Sequence, residues 1–145
     1  MAIDGGLRGL FIKNLVGWHC QAIETGGVGC GIPDLNYCHG GVEGWIEMKQ
    51  TAANAVNFDK EQVAWAERRL RTGGRVFAAV RRTTTAGPRK GPPTDALYLF
   101  HGAYIRSLYL DGLAACDPLL VCHGPPARWD WAAVKNILLG HPPGS

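Results

Sequence analysis

Three side chains have the types and spacing for metal-assisted chemistry: Asp34, which follows Pro33, and, after twelve intervening residues, the acid and base of Glu47-Met48-Lys49. Twelve residues is about the length of one strand, a tight turn and the return strand. Gly40-Gly41 is a strong two-residue hairpin signal between 34–39 and 42–49. That turn sets Asp34 opposite Glu47, with Cβ atoms roughly 5 Å apart. A four-residue loop over 40–43 slips the pairing by two and leaves the faces unchanged. Alternation puts Glu47 and Lys49 on one face and turns Leu35, Ile46 and Met48 to the other. Like charges opposite each other cost stability. A divalent cation between them, with a lysine alongside, turns that cost into a function. Mg²⁺ prefers oxygen ligands and keeps several waters, so two carboxylates leave room for a phosphate and a nucleophile. The ion lowers the pKa of bound water and neutralises phosphoryl charge. Lys49 adds a compact positive charge whose pKa falls toward base duty when buried beside a metal.

The elements that must position these residues are readable from pattern. Leu7, Leu10, Phe11 and Leu15 have helical spacing and predict a short helix over 7–17. Residues 18–24 alternate loosely and predict a strand ending at Glu24, followed by the glycine-rich loop 26–31. Asp59 and Gln62 have capping-box spacing at the start of a helix over 58–72, with Val63, Ala66 and Leu70 as its apolar stripe and Gly73-Gly74 as its stop. The apolar run 75–81 reads as a buried strand, and a strand–helix–strand crossover sets it parallel to 42–49. Pro and Gly over 86–93 mark a loop before a strand at 96–101, and 103–110 and 127–139 read as helices, the second burying Trp131, Val134, Ile137 and Leu138. The order α-β-β-β-α-β, with more strand and helix behind it, predicts an α/β fold with helices flanking a central mixed sheet. One domain over 1–145 is expected, with a core over 7–101 and a helical extension over 102–145.

Composition narrows the class. A chain of 145 residues, 46% hydrophobic and 19% charged, suits one globular domain that needs no disulfides or structural metal to fold. No stretch approaches the ~18 apolar residues of a membrane span, so no membrane partner is expected. The acid, arginine and lysine within residues 1–17 make a poor signal peptide. Five singly scattered cysteines suit reduced thiols in a cytoplasm. The net charge is only +3, yet Arg68, Arg69, Arg71, Arg75, Arg81, Arg82, Arg89 and Lys90 concentrate eight of the fifteen basic residues in one stretch. By itself such a run reads as a solvated helix face and loop; beside paired carboxylates it suits a phosphate backbone.

Asp34, Glu47 and Lys49 on a hairpin, followed by a helix and a strand, resemble the PD-(D/E)xK nuclease superfamily with its restriction-endonuclease-like core. The wider string AIE…GVGCGIPDL…GWIEMKQ…F…Q..W…L…GG.VFAAVR, over about residues 20–82, resembles the virus-type replication-repair nucleases (VRR-NUC) and the phage and archaeal Holliday-junction resolvases. The resemblance implies that Asp34 and Glu47 bind Mg²⁺ or Mn²⁺ with the backbone carbonyl of Met48. It implies that Lys49 orients or deprotonates the attacking water, that Glu24 fills an additional acidic position, and that Gln62 supports water or substrate. It further implies an endonuclease acting on branched DNA, a Holliday junction or a flap, as a homodimer, in the host cytoplasm if phage-encoded. The rivals are a non-catalytic branched-DNA-binding module on the same fold, with a steep salt dependence, and a nicking or restriction-type duplex endonuclease.

Plainer readings stand beside these. Asp34, Glu47 and Lys49 could be surface charges of a hairpin, Glu24 a strand-end carboxylate, Gln62 only a helix cap, and Trp65 core rather than a base-stacking platform. His19-Cys20, Cys30, Cys38-His39 and Cys122-His123 suggest zinc, but no CxxC pair exists, and no structural zinc is expected. The loop at 26–31 lacks the following Lys-Ser/Thr of a phosphate-binding loop and suits a close approach of DNA to the metal. His39 and His101 are weaker candidates for a general base.

Overall fold

The computed structural model describes residues 4–24, 30–88 and 91–140. A six-stranded mixed sheet forms the middle layer, its strands side by side in chain order. They are β1 (His19–Ala22), β2 (Leu35–His39), β3 (Val42–Thr51), β4 (Val76–Thr84), β5 (Thr94–His101) and β6 (Leu120–His123). Only β3 and β4 run parallel, joined by helix α2 (Lys60–Arg71); every other neighbouring pair is antiparallel. Helix α1 (Leu7–Asn14) precedes the sheet, while α3 (Ile105–Asp111) and α4 (Trp131–Leu139) flank β6 in sequence. The expected α/β class, mixed sheet and parallel crossover are all present. Among the described residues, no helix is long and apolar enough to cross a membrane.

The hairpin takes the two-residue form. Leu35 pairs with Ile46 and His39 with Val42, so the turn is Gly40-Gly41. Both glycines have positive φ, 59° and 81°, as a turn matched to strand twist requires. Alternation then divides the core. Leu35, Tyr37, Ile46, Met48, Phe77, Ala79, Leu97 and Leu99 face α1 and α4, whose Leu7, Phe11, Val134 and Leu138 complete that layer. Val76, Ala78, Val80 and Phe100 face Val63, Trp65 and Ala66 of α2 and Ile105 and Leu108 of α3. Trp65 is core, as its plainer reading expected.

Helix α2 begins where its capping box closes: the Asp59 carboxylate accepts from the Gln62 backbone N–H at 2.9 Å, and the Gln62 side-chain oxygen accepts from the Asp59 N–H at 3.1 Å. Phe58, just before the cap, and Val63, four residues into the helix, share the same core and staple its start.

Three stretches differ from expectation. The helix expected over 7–17 ends at Asn14. The helix expected from 127 starts at Trp131, because Pro125-Pro126 first makes a 3-10 turn and Asp130 then caps the helix through the Ala133 N–H. The segment expected to be a helical extension also contributes β6, whose Leu120, Val121, Cys122 and His123 pair with β5. The four residues of β6, set between Pro118 and Gly124-Pro125, are too few to show a period.

Candidate functional site

Glu47 is the one charged side chain buried among the described residues, at 2% exposure. The register that places Leu35 against Ile46 puts Asp34 next in line, across from Glu47. Its position is fixed twice: the Asp34 backbone oxygen accepts from Ile23 N–H at 2.9 Å, and Oδ2 accepts from Met48 N–H at 2.8 Å. The Oε2 atom of Glu47 is buried with no hydrogen-bond partner among the described residues. Burial, then the hydrogen-bonding and charged Asp34 carboxyl beside it, push the Glu47 carboxyl up to about 10. Lys49 and the Met48 N–H oppose that rise without cancelling it. A buried acid with an unsatisfied oxygen, set beside a second carboxyl, is an arrangement that a cation relieves.

Lys49 shares the face of Glu47, with Nζ 5.1 Å from the centre of the Phe58 ring. That contact sets the ammonium on an aromatic face near the carboxyl pair. Sequence reasoning missed Phe58; its place just before the Asp59 cap, with Val63 beyond, is the staple pattern that would have found it.

The loop leading into Asp34 is held by a close approach. Gly31 has φ +77°, and a Cβ there would lie 2.1 Å from the Glu61 carbonyl oxygen and 2.9 Å from the Gln62 nitrogen. The chain before Pro33-Asp34 is therefore seated on the first turn of α2. Gly31→Ala is expected to lower stability by more than Gly40→Ala, because Gly40 also has positive φ but nothing within 4 Å of a Cβ. The left-handed backbone alone costs an alanine about 1–2 kcal/mol; the backbone clash is additional at Gly31. Equal shifts in urea midpoint for the two variants would show that the seat on α2 has slack.

The two outer members expected of the site are engaged in other contacts. Glu24 is 75% exposed in its side chain and accepts from Arg8 Nη2 at 3.1 Å. It follows Ile23, whose N–H meets Asp34, so alternation turns Glu24 toward α1, opposite to Glu47. Gln62 spends its side-chain oxygen on the Asp59 cap, as its plainer reading allowed. His101 Nδ1 accepts from Ala103 N–H, and His39 stacks on Trp18 at 5.1 Å. Among the described residues, no three His, Cys, Asp or Glu side chains converge as a metal-holding group. The site is a pair of carboxylates with a lysine.

The basic stretch divides by role. Arg68 and Arg71 are exposed on α2, and Arg69 lies over Trp65 and Trp45, at 4.6 and 5.4 Å from their ring centres. Arg75 donates to the Leu138 oxygen at 2.9 Å and to the Gly140 oxygen, tying β4 to the end of α4. Arg81 makes a two-pronged pair with Asp95, at 3.0 and 2.6 Å, and donates to the Gly5 oxygen at 2.7 Å. Arg75 and Arg81 are therefore internal fasteners, not free phosphate contacts. The Arg82 side chain makes no hydrogen bond or ion pair among the described residues and lines an open groove. Arg89 and Lys90, like residues 26–29 of the glycine-rich loop, lie outside the described residues. Neither a protein-family model nor a curated protein matches the chain.

Proposed function

We propose that this chain is a divalent-metal-dependent endonuclease of the PD-(D/E)xK type, hydrolysing phosphodiester bonds in branched DNA. The observation that carries the proposal is the Asp34–Glu47 pair, in which Glu47 is buried with an oxygen unpartnered among the described residues, and Lys49 shares its face. A structural hairpin gains nothing from a buried acid set against a second carboxyl, which is costly unless a proton or a cation neutralises it. All-oxygen donors on an orphaned site fit Mg²⁺ or Mn²⁺, which bind through one or two carboxylates and share the remaining positions with water and phosphate.

Asp34 and Glu47 would hold the ion, with the Met48 carbonyl as the third oxygen that the family resemblance adds. Bound there, the ion supplies a more acidic water and charge neutralisation at the phosphoryl group. Lys49 holds positive charge beside the attacking water and takes or steers its proton. The Met48 N–H keeps Asp34 in one orientation, and the Gly31 seat keeps its loop against α2. Glu24, paired with Arg8, has no part in this scheme. The six-stranded sheet with its α2 crossover is compatible with a restriction-endonuclease-like core. Branched DNA as substrate and a homodimer as the working form rest on the resemblance over residues 20–82.

The test is a panel of labelled single-stranded, duplex, flap and four-way substrates with Mg²⁺ or Mn²⁺. Metal-dependent cleavage of the branched members in preference to duplex is expected, with none in EDTA. Cleavage that persists in EDTA, or no cleavage of any member, would overturn the proposal.

A further inference from the structure

The sheet face that carries Glu47 and Lys49 continues beyond the helices that cover it. Unbroken register across β3, β4, β5 and β6 sets Thr51, Arg82, Ala96 and His123 in one transverse row, and Thr84 with Thr94 in the next. The helices bury Val76, Ala78, Val80 and Phe100 on this face. Past that cover lies an open groove of about 390 Å³, lined by Arg82, Thr84, Thr94, Ala96, Tyr98 and His123.

Among the described residues the lining contains a guanidinium, an imidazole and three hydroxyls, and no carboxylate. The two adjacent arginines make the contrast plain. Arg81 points to the opposite face and is fully engaged by Asp95 and Gly5. The Arg82 side chain lines the groove and makes no hydrogen bond or ion pair among the described residues. An arginine side chain with no acid or carbonyl partner, in a groove whose described lining has no carboxylate, is open to a ligand rich in anionic oxygens. The planar guanidinium fork matches phosphate in two-pronged fashion. The threonine hydroxyls, 2.6 Å apart, hold each other in the lining.

The groove also has a fixed relation to the carboxylate pair. Arg82 pairs with Thr51, two residues beyond Lys49 on β3, which is roughly 7 Å along the strand. From β4 to β6 is two strand spacings, roughly 10 Å, a width that suits one nucleic-acid strand rather than a duplex.

We propose that this groove binds the phosphate backbone of a single DNA strand next to the bond held at Glu47 and Lys49, with Arg82 as its principal phosphate contact and His123 at its far edge. The proposal rests on the nuclease reading for its geometry, but binding is measured apart from cleavage. The experiment is fluorescence anisotropy of a labelled oligothymidylate of about 12 nucleotides, within the span such grooves cover, in EDTA and over a range of salt. Wild type is expected to bind. Arg82→Gln is expected to weaken binding about tenfold and to flatten the slope of log affinity against log salt by about 0.7, one single-strand phosphate contact. His123→Glu, at an exposed position, places a carboxylate in the groove and is expected to weaken binding comparably.

Arg82→Gln decides where its circular dichroism and melting match wild type; where they do not, His123→Glu decides. A wild-type affinity and salt slope in the deciding variant, or no binding by wild type, overturns the groove. Arg82-dependent binding with no Mg²⁺-dependent cleavage of any DNA leaves the groove standing and removes the nuclease reading. Cleavage with binding indifferent to the deciding variant does the reverse.

Discussion

Asp34→Ala and Lys49→Ala are each expected to lower the single-turnover rate of Mg²⁺-dependent strand cleavage by about 10³-fold, and to do so for different reasons. Asp34→Ala removes one of the two carboxylates and also the acceptor that the Met48 N–H meets at 2.8 Å. Its loss should appear first as a raised metal requirement, partly recovered at high Mg²⁺ or Mn²⁺. Lys49→Ala leaves both carboxylates and removes the positive charge seated on Phe58. Its loss should persist at saturating metal, because a group that moves or steers a proton contributes about 10² to 10⁴ in rate independently of how well the metal binds. Each thousandfold step corresponds to about 4 kcal/mol of transition-state stabilisation. Lys49→Arg is a useful third member: charge is kept, but the broad planar guanidinium replaces a compact ammonium, and it cannot give up its proton. A rate near wild type in Lys49→Arg with a large loss in Lys49→Ala would assign Lys49 a purely electrostatic part. Wild-type rates in both alanine variants would remove the mechanism. Rates in which neither variant responds to metal concentration would separate the carboxylate pair from catalysis.

The carboxylate–lysine face was legible from the sequence because strands encode it with a period of two. Once Gly40-Gly41 fixes the turn, the partners of Asp34 and the shared face of Glu47 and Lys49 follow by counting, and the observed register has the same pairing. The capping box at Asp59 and Gln62 was legible for a similar reason, since a helix start is a local event. Glu24 was misplaced because spacing in sequence carries no record of which face a strand end presents. Its neighbour Ile23 makes the bond to Asp34, so Glu24 itself points to Arg8. Arg81 and Arg82 show the same limit in charge: adjacent in sequence and equal in composition, they go to opposite faces, one to an internal ion pair and one to an open groove. β6 escaped detection because four residues supply too little pattern, and its identity as a strand is settled by β5, more than twenty positions earlier. The seat of Gly31 on α2 is a tertiary contact that the sequence marks only as a glycine before Pro33-Asp34.

Glu47→Gln is expected to raise the melting temperature of the metal-free protein and to abolish its stabilisation by Mg²⁺. In wild type the Glu47 carboxyl is buried, lacks a partner for Oε2, and is pushed from 4.5 up to about 10 by burial and by Asp34. The folded state therefore holds a proton that the unfolded state releases once pH passes the ordinary glutamate range. Stability from this group is fully present below about 4.5 and falls as pH rises from there toward about 10, because the unfolded state binds fewer protons throughout that window. The slope cannot exceed about 1.4 kcal/mol per pH unit, so a change from pH 6 to pH 8 should cost wild type on the order of 1–3 kcal/mol, several degrees of melting temperature in a domain of this size. Glutamine has no proton to lose and offers its amide to the Asp34 carboxylate, so the variant should show a flatter profile and a higher melting temperature at pH 8. Divalent metal acts in the opposite sense on wild type: it favours the ionised pair, and at a hundredfold excess over its dissociation constant adds about 2.7 kcal/mol. A wild-type protein whose melting is indifferent to Mg²⁺, and whose pH profile superimposes on that of Glu47→Gln, would mean that the carboxyl pair is an ordinary structural feature and not a cation site.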